Sequence, residues 1–132
     1  MAQKQRGEVS IDLAGKNFIM RPTYSSTYEF EEKAGVTVWE AMKALNDRQA
    51  MPMKWVRQAI HSTIKAGWRP SMGTMPSIEQ VGQWIFDDGI GNVAGAYTKL
   101  LCNMLTSETA LEKAEKDIES GKAEMTEMTP TP

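Results

Sequence analysis

The chain is poor in the residues that most enzymes and metal proteins depend on. It has a single cysteine, Cys102, among 132 residues. That excludes an intramolecular disulfide and any site built from several thiolates. It has a single histidine, His61, with no Cys or Asp beside it in sequence. A histidine-based triad or metal site therefore has no second member, and His61 is expected to lie on the surface. No apolar run approaches the roughly 18 residues that a bilayer span needs. The polar N-terminus, Met1 to Glu8, offers no apolar core for a secretory signal. An excess of base is missing as well. The formal charge is -2 and the pI about 5.5, which disfavours a general nucleic-acid binder. These absences point to a small cytoplasmic protein that is not an enzyme.

What is present in excess is methionine and tryptophan, 10 and 4 residues respectively. Methionine is flexible and polarizable, so it fills irregular cores and also serves adaptable binding surfaces.

The expected architecture is mainly α with an N-terminal β-hairpin (α+β): about five helices and two strands in one domain over residues 1–106. The hairpin covers residues 6–22. Val9, Ile11 and Leu13 alternate with polar residues, the period of a half-buried strand. Ala14-Gly15 supplies a turn. Phe18 and Met20 return on one face, and Pro22 closes the ladder. Two strands alone are marginal, so the hairpin must pack on other elements or pair with another copy. Val9, Ile11, Phe18 and Met20 are the candidate self-association residues.

Helices follow over residues 23–105. Thr23 is an N-cap and Gly35 a stop for the first, with Tyr24, Thr27, Tyr28, Phe30 and Ala34 as its less polar side. Thr37-Val38-Trp39-Glu40 is a capping box for the second, which carries Val38, Ala41, Met42 and Leu45 on one face and ends near Arg48. The third runs from about Pro52 to Ala66. The stretch from Trp68 to Pro76 reads as a loop. Ser77 and Gln80 open the fourth helix, whose apolar side is Ile78, Val81, Trp84 and Ile85. The fifth, from Asn92 to Leu105, has the best apolar stripe. Cys102 sits on it as an inert thiol expected to be buried.

The composition changes at Ser107. Seven acids and three lysines give residues 107–132 a net charge of -4, against +2 for residues 1–106. A helix over about 109–119 and then disorder are expected.

Few patterns suggest chemistry. Gly89-Ile90-Gly91 and Gly91-Asn92-Val93-Ala94-Gly95 lack the Gly-Lys-Ser/Thr of a phosphate loop and follow no strand, so they read as a helix connector. Asp87 and Asp88 are adjacent and share no helix face, which makes a solvated helix end the natural reading. One feature stands out. No acid occurs between Asp47 and Glu79, and the third helix carries Lys54, Arg57, His61 and Lys65 within about 80° of one another. That cationic stripe lies beside the apolar stripe of Val56, Ile60 and Ile64. It suits an acidic partner or the acidic tail, or alternatively the DNA backbone, as in a helix-turn-helix protein. The candidate partner-binding residues are Lys54, Arg57, Ile60, Ile64, Lys65, Arg69, Trp55 and Trp84.

The order of elements is recognisable. Arg6-Gly7-Glu8-Val9, a strand ending near Asp12 and the Gly15 turn are followed by Arg21-Pro22-Thr23. A helix with Tyr28-Glu29-Phe30-Glu31 and then Gly35-Val36-Thr37-Val38 completes the pattern. This resembles the tail assembly chaperone family of siphophages and gene transfer agents, also labelled phage tail tube protein. The resemblance is clearest over residues 6–46 and looser to about Leu105. The Trp- and Met-rich third and fourth helices and the 68–76 loop depart from it. It implies a bacteriophage protein that is non-enzymatic, without cofactor or metal, and homo-oligomeric. It would bind the tape measure protein and the major tail tube protein in the host cytoplasm. It would bind neither nucleic acid nor membrane, and would be absent from the mature virion. The rival readings are a structural tail tube or tail-completion protein retained in the particle, and a small DNA-binding helical protein.

Overall fold

In a computed structural model, residues 7–106 are described. Strands β1 (Val9–Leu13) and β2 (Lys16–Met20) form an antiparallel hairpin with Val9 opposite Met20 and Leu13 opposite Lys16. The two-residue turn needs positive φ at both positions, and Ala14 and Gly15 have φ of 54° and 75°. Glycine adopts this freely, whereas alanine does so at a cost. Val9, Ile11, Leu13, Phe18 and Met20 all point inward.

Helices α1 (Tyr24–Ala34) and α2 (Val38–Arg48) are both opened by complete capping boxes. In α1 the second partner of the box is Ser26, whose hydroxyl also reaches the Arg21 carbonyl. The buried face of α1 is Ser26, Phe30 and Ala34, while Tyr24 and Tyr28 stand exposed. The sequence-based face is thus rotated. The buried capping network takes Ser26 inside, and Tyr24 and Tyr28 stack on each other in solvent instead, 6.2 Å between centroids. In α2 the Val38 N–H donates to Glu31 Oε2 at 2.9 Å, which ties the two helices at their corner.

Helix α3 (Met53–Ala66) is the central element. It packs on α1, α4 (Ile78–Asp88), α5 (Ala94–Leu105) and β2. Val56, Ala59, Ile60, Ser62, Thr63 and Ile64 are all buried. Its buried hydroxyls are satisfied locally, with Thr63 donating to the Ala59 carbonyl and Ser62 accepting from Gln58. Short 3₁₀ turns precede α4 and α5, at Pro70–Met72 and Ile90–Val93. The last helix therefore starts at Ala94, two residues later than the apolar stripe suggests. Tyr97, Leu100 and Leu101 place it against the same core as β1 and α2. Cys102 is exposed, a correction to the expected burial. It falls on the outer side of α5, directly after the buried pair Leu100 and Leu101. The expected helix over 109–119 and the disorder beyond it lie outside the described residues. No helix among the described residues is long and apolar enough to cross a membrane.

Candidate functional site

A recess lies between β2, the 68–76 loop and the start of α4, with a volume of about 570 Å³. Its wall is a run of three aromatic rings. Phe18, on the inward face of β2, stacks on both Trp84 and Trp68. The centroids are 5.7 and 6.4 Å away and the interplanar angles 25° and 29°. Such offset stacks add about 0.5–1.5 kcal/mol each beyond area burial. Met72, Met75 and Pro76 complete the apolar lining, and Met72 is 42% exposed. The loop is pinned at both ends of its arc. Trp68 Nε1 donates to the Gly73 carbonyl at 2.9 Å, and His61 Nε2 lies 3.2 Å from the Pro76 carbonyl. That contact needs the Nε2–H form, which leaves Nδ1 buried and, among the described residues, without a partner. Burial pushes the imidazole below its usual pKa, so the neutral ring is favoured. His61 is thus a half-buried loop anchor, not the surface residue expected.

At the mouth of the recess, Lys16 Nζ stands 5.9 Å from the Trp84 ring centroid, within cation–π range. Among the described residues no carboxylate pairs with it.

The remaining candidate residues are dispersed. Ile60 and Ile64 are 0% and 1% exposed, which removes them from any docking face. They are shielded because α3 is surrounded by helices and β2, so its apolar stripe is the core itself. Val9, Ile11, Phe18 and Met20 are likewise at most 7% exposed. Val9, Ile11 and Met20 are spent on the core, and Phe18 is shared between the core and the wall of the recess. Trp84 lies in the recess. Trp55 lines a separate shallow depression with Val36, Lys43 and Asp47. Lys54 and Arg69 are exposed.

The cationic stripe is partly neutralised. Lys65 Nζ lies 3.0 Å from Glu29 Oε2, and Arg57 pairs with Glu79 at 3.7 Å. Burial raises the pKa of the Glu29 carboxyl. The hydrogen bonds from Lys65 and Ser62 and the charges of Lys65 and Lys33 outweigh it, and the net shift is downward. Arg57 also lies across Gly82, where an added Cβ would fall 2.6 Å from its Cδ. Glycine there permits the guanidinium stem to cross α4. A stripe so engaged has little free charge for a phosphate backbone.

Asp88 is not a free helix end. Its Oδ2 accepts from Ala14 N at 2.9 Å, which fastens the hairpin tip to the end of α4. Asp87 accepts from Gln83. Sequence reasoning counts the Trp/Met-rich stretch through Trp84 among the candidate binding elements but does not single out Trp68, Met72 or Met75, because the 68–76 segment has no periodicity to read. The one available signal was a tryptophan directly after a helix-terminating glycine. Among the described residues no group of three or more His, Cys, Asp or Glu could hold a metal ion. No family model, no curated protein and no solved structure matches the chain.

Proposed function

We propose that this protein is a tail assembly chaperone of the siphophage and gene-transfer-agent type. It holds the tape measure protein, and the tail tube subunits, in the host cytoplasm until the tail is built, and it makes or breaks no covalent bond. The observation that carries this reading is the open aromatic–methionine recess formed by Phe18, Trp68, Trp84, Met72 and Met75. A long apolar client aggregates if left bare. A surface rich in methionine and aromatic rings can accommodate segments of varied sequence. The resemblance over residues 6–46 supports the same assignment, and the hairpin carrying Phe18 falls within it. Many copies, each of modest affinity, would let tube subunits displace the chaperone.

Co-expression with the tape measure protein encoded beside it is the direct test. The client should move from the insoluble to the soluble fraction and co-purify with the chain. A client whose solubility is unaffected excludes the role. Mass spectrometry of purified particles separates a chaperone, expected to be absent, from a retained tube or completion protein.

A further inference from the structure

The recess leaves apolar surface uncovered and positive charge unpaired. The side chains of Ile19 and Met72 both line it, and these residues are 36% and 42% exposed. None of its lining residues is acidic, and Lys16 is the one that carries a charge. A second cation, Arg69, stands at the rim. It follows Trp68, its carbonyl accepts from Met72 N at 2.9 Å, and it is exposed. Among the described residues no carboxylate pairs with Lys16 or Arg69. Apolar surface with a polar rim marks a place that another segment covers.

The chain carries a segment of matching chemistry. Within the acidic residues 107–132 one triplet occurs twice, as Glu124-Met125-Thr126 and Glu127-Met128-Thr129, and no base follows Lys122. A spacing of three brings both methionines to one side, and both glutamates to another, in a helical turn or a polyproline conformation. The flexible thioether of methionine packs favourably on aromatic rings. Two glutamates match the two unpaired cations. The way from α5 to the recess is also short. Asn103, in the last turn of α5, donates to the Gly7 carbonyl at 2.9 Å. A Cβ at Gly7 would fall 3.7 Å from Pro22, and one at Gly67, in the recess wall, 3.4 Å from Arg21. The residues between Thr106 and Glu124 reach about 60 Å when extended. That exceeds the width of a domain whose radius of gyration is about 13 Å.

We propose that residues 124–129 dock in the recess of their own chain. Met125 and Met128 lie against Trp68, Trp84 and Met72, and Glu124 and Glu127 meet Lys16 and Arg69. The tail is then an internal competitor, and a client enters by displacing it. The docking does not depend on the client, whereas the competition rests on reading the recess as the client-binding surface.

The full chain, isotope-labelled at its methionine methyls, tests this by NMR. The Met125 and Met128 resonances, assigned from Met125→Gln and Met128→Gln, should be shifted upfield by the indole rings and show cross-relaxation to Trp68 or Trp84. A fluorescein-labelled peptide of residues 122–132, read by anisotropy, should bind the double variant roughly tenfold or more tighter than the unsubstituted chain, where the tethered copy competes at roughly millimolar local concentration. Lys16→Glu with Arg69→Glu should favour a peptide carrying Glu124→Lys and Glu127→Lys over the natural one, a reversal that a loss of folding cannot produce. Unshifted methyls, equal peptide affinity for the two chains, or no reversal overturns the proposal. So does cross-relaxation seen only between differently labelled chains in a mixture, which assigns the segment to a second copy. Unshifted methyls beside successful co-expression reject the tail docking alone. Shifted methyls beside an unaffected tape measure protein reject the chaperone role alone.

Discussion

Asp88 joins two elements through one carboxylate. Its bond to Ala14 N is charge-assisted and links residues 74 positions apart. Such bonds contribute about 1.5–3 kcal/mol when well shielded, and less in solvent. Asp88→Ala should therefore lower stability by about 1 kcal/mol, seen as a lower urea midpoint with an unchanged slope. Tyr97 makes the opposite case. Its ring is fully buried and its hydroxyl has no partner among the described residues. The same burial pushes its pKa up to about 12. Tyr97→Phe removes the unpaired hydroxyl while keeping the ring, so stability should hold or rise by about 1 kcal/mol. Measured thermal unfolding checks this, and a loss above 1 kcal/mol would show that the hydroxyl is bonded. Glu29 sets an acid limb. Its folded-state pKa lies below the ordinary 4.5, so its contribution is complete above that value and is lost as pH falls through the lower folded one. Glu29→Gln should flatten the stability–pH curve below about pH 4.5 and leave the limb near neutrality unchanged.

The elements form where local chemistry and burial agree. The N-cap expected at Thr23 and the capping box expected at Thr37 both appear, the former also closing into a box through Ser26, and α1 and α2 end where Gly35 and Arg48 suggest. The hairpin is the weaker element, because Ala14 occupies a left-handed position that glycine or asparagine fills more readily. Ala14→Asn should stabilise the protein by up to about 1 kcal/mol, since a left-handed alanine costs about 1–2 kcal/mol. The melting temperature should rise by a few degrees, with the Asp88 bond to the main chain retained. Element type was legible because periods of two and of 3.6 differ strongly in β1, α3 and α5. The rotation of α1 was not, since the burial of Ser26 depends on the Arg21 carbonyl and the neighbouring chain. The 3₁₀ turn at Ile90–Val93 escaped for a similar reason: it has the same apolar spacing as the helix it precedes.

At the scale of the whole molecule, α3 decides what is inside. Ile64 is 1% exposed and Lys54, on the same helix, faces solvent. Ile64→Ala should cost about 2–5 kcal/mol through lost burial and the cavity left behind. Lys54→Ala should shift stability by less than about 0.5 kcal/mol, as surface substitutions generally do. Denaturant titration of the two variants distinguishes a core helix from a docking helix. The candidate site shows the same dependence on assembly. Trp84 was legible as an apolar residue of a capped helix, and Lys16 as part of a hairpin. Their meeting with Phe18 and Trp68 was not, because the contacts span β2, a loop without periodicity and α4. The class of fold follows from local pattern: alternation, helical stripes, caps and glycine stops act over a few residues, and each is a local energy. Only packing chose which stripe became core, which cations were already paired and which aromatic rings met in the recess. Those outcomes depend on distant segments competing for the same surface, and no local spacing encodes that competition.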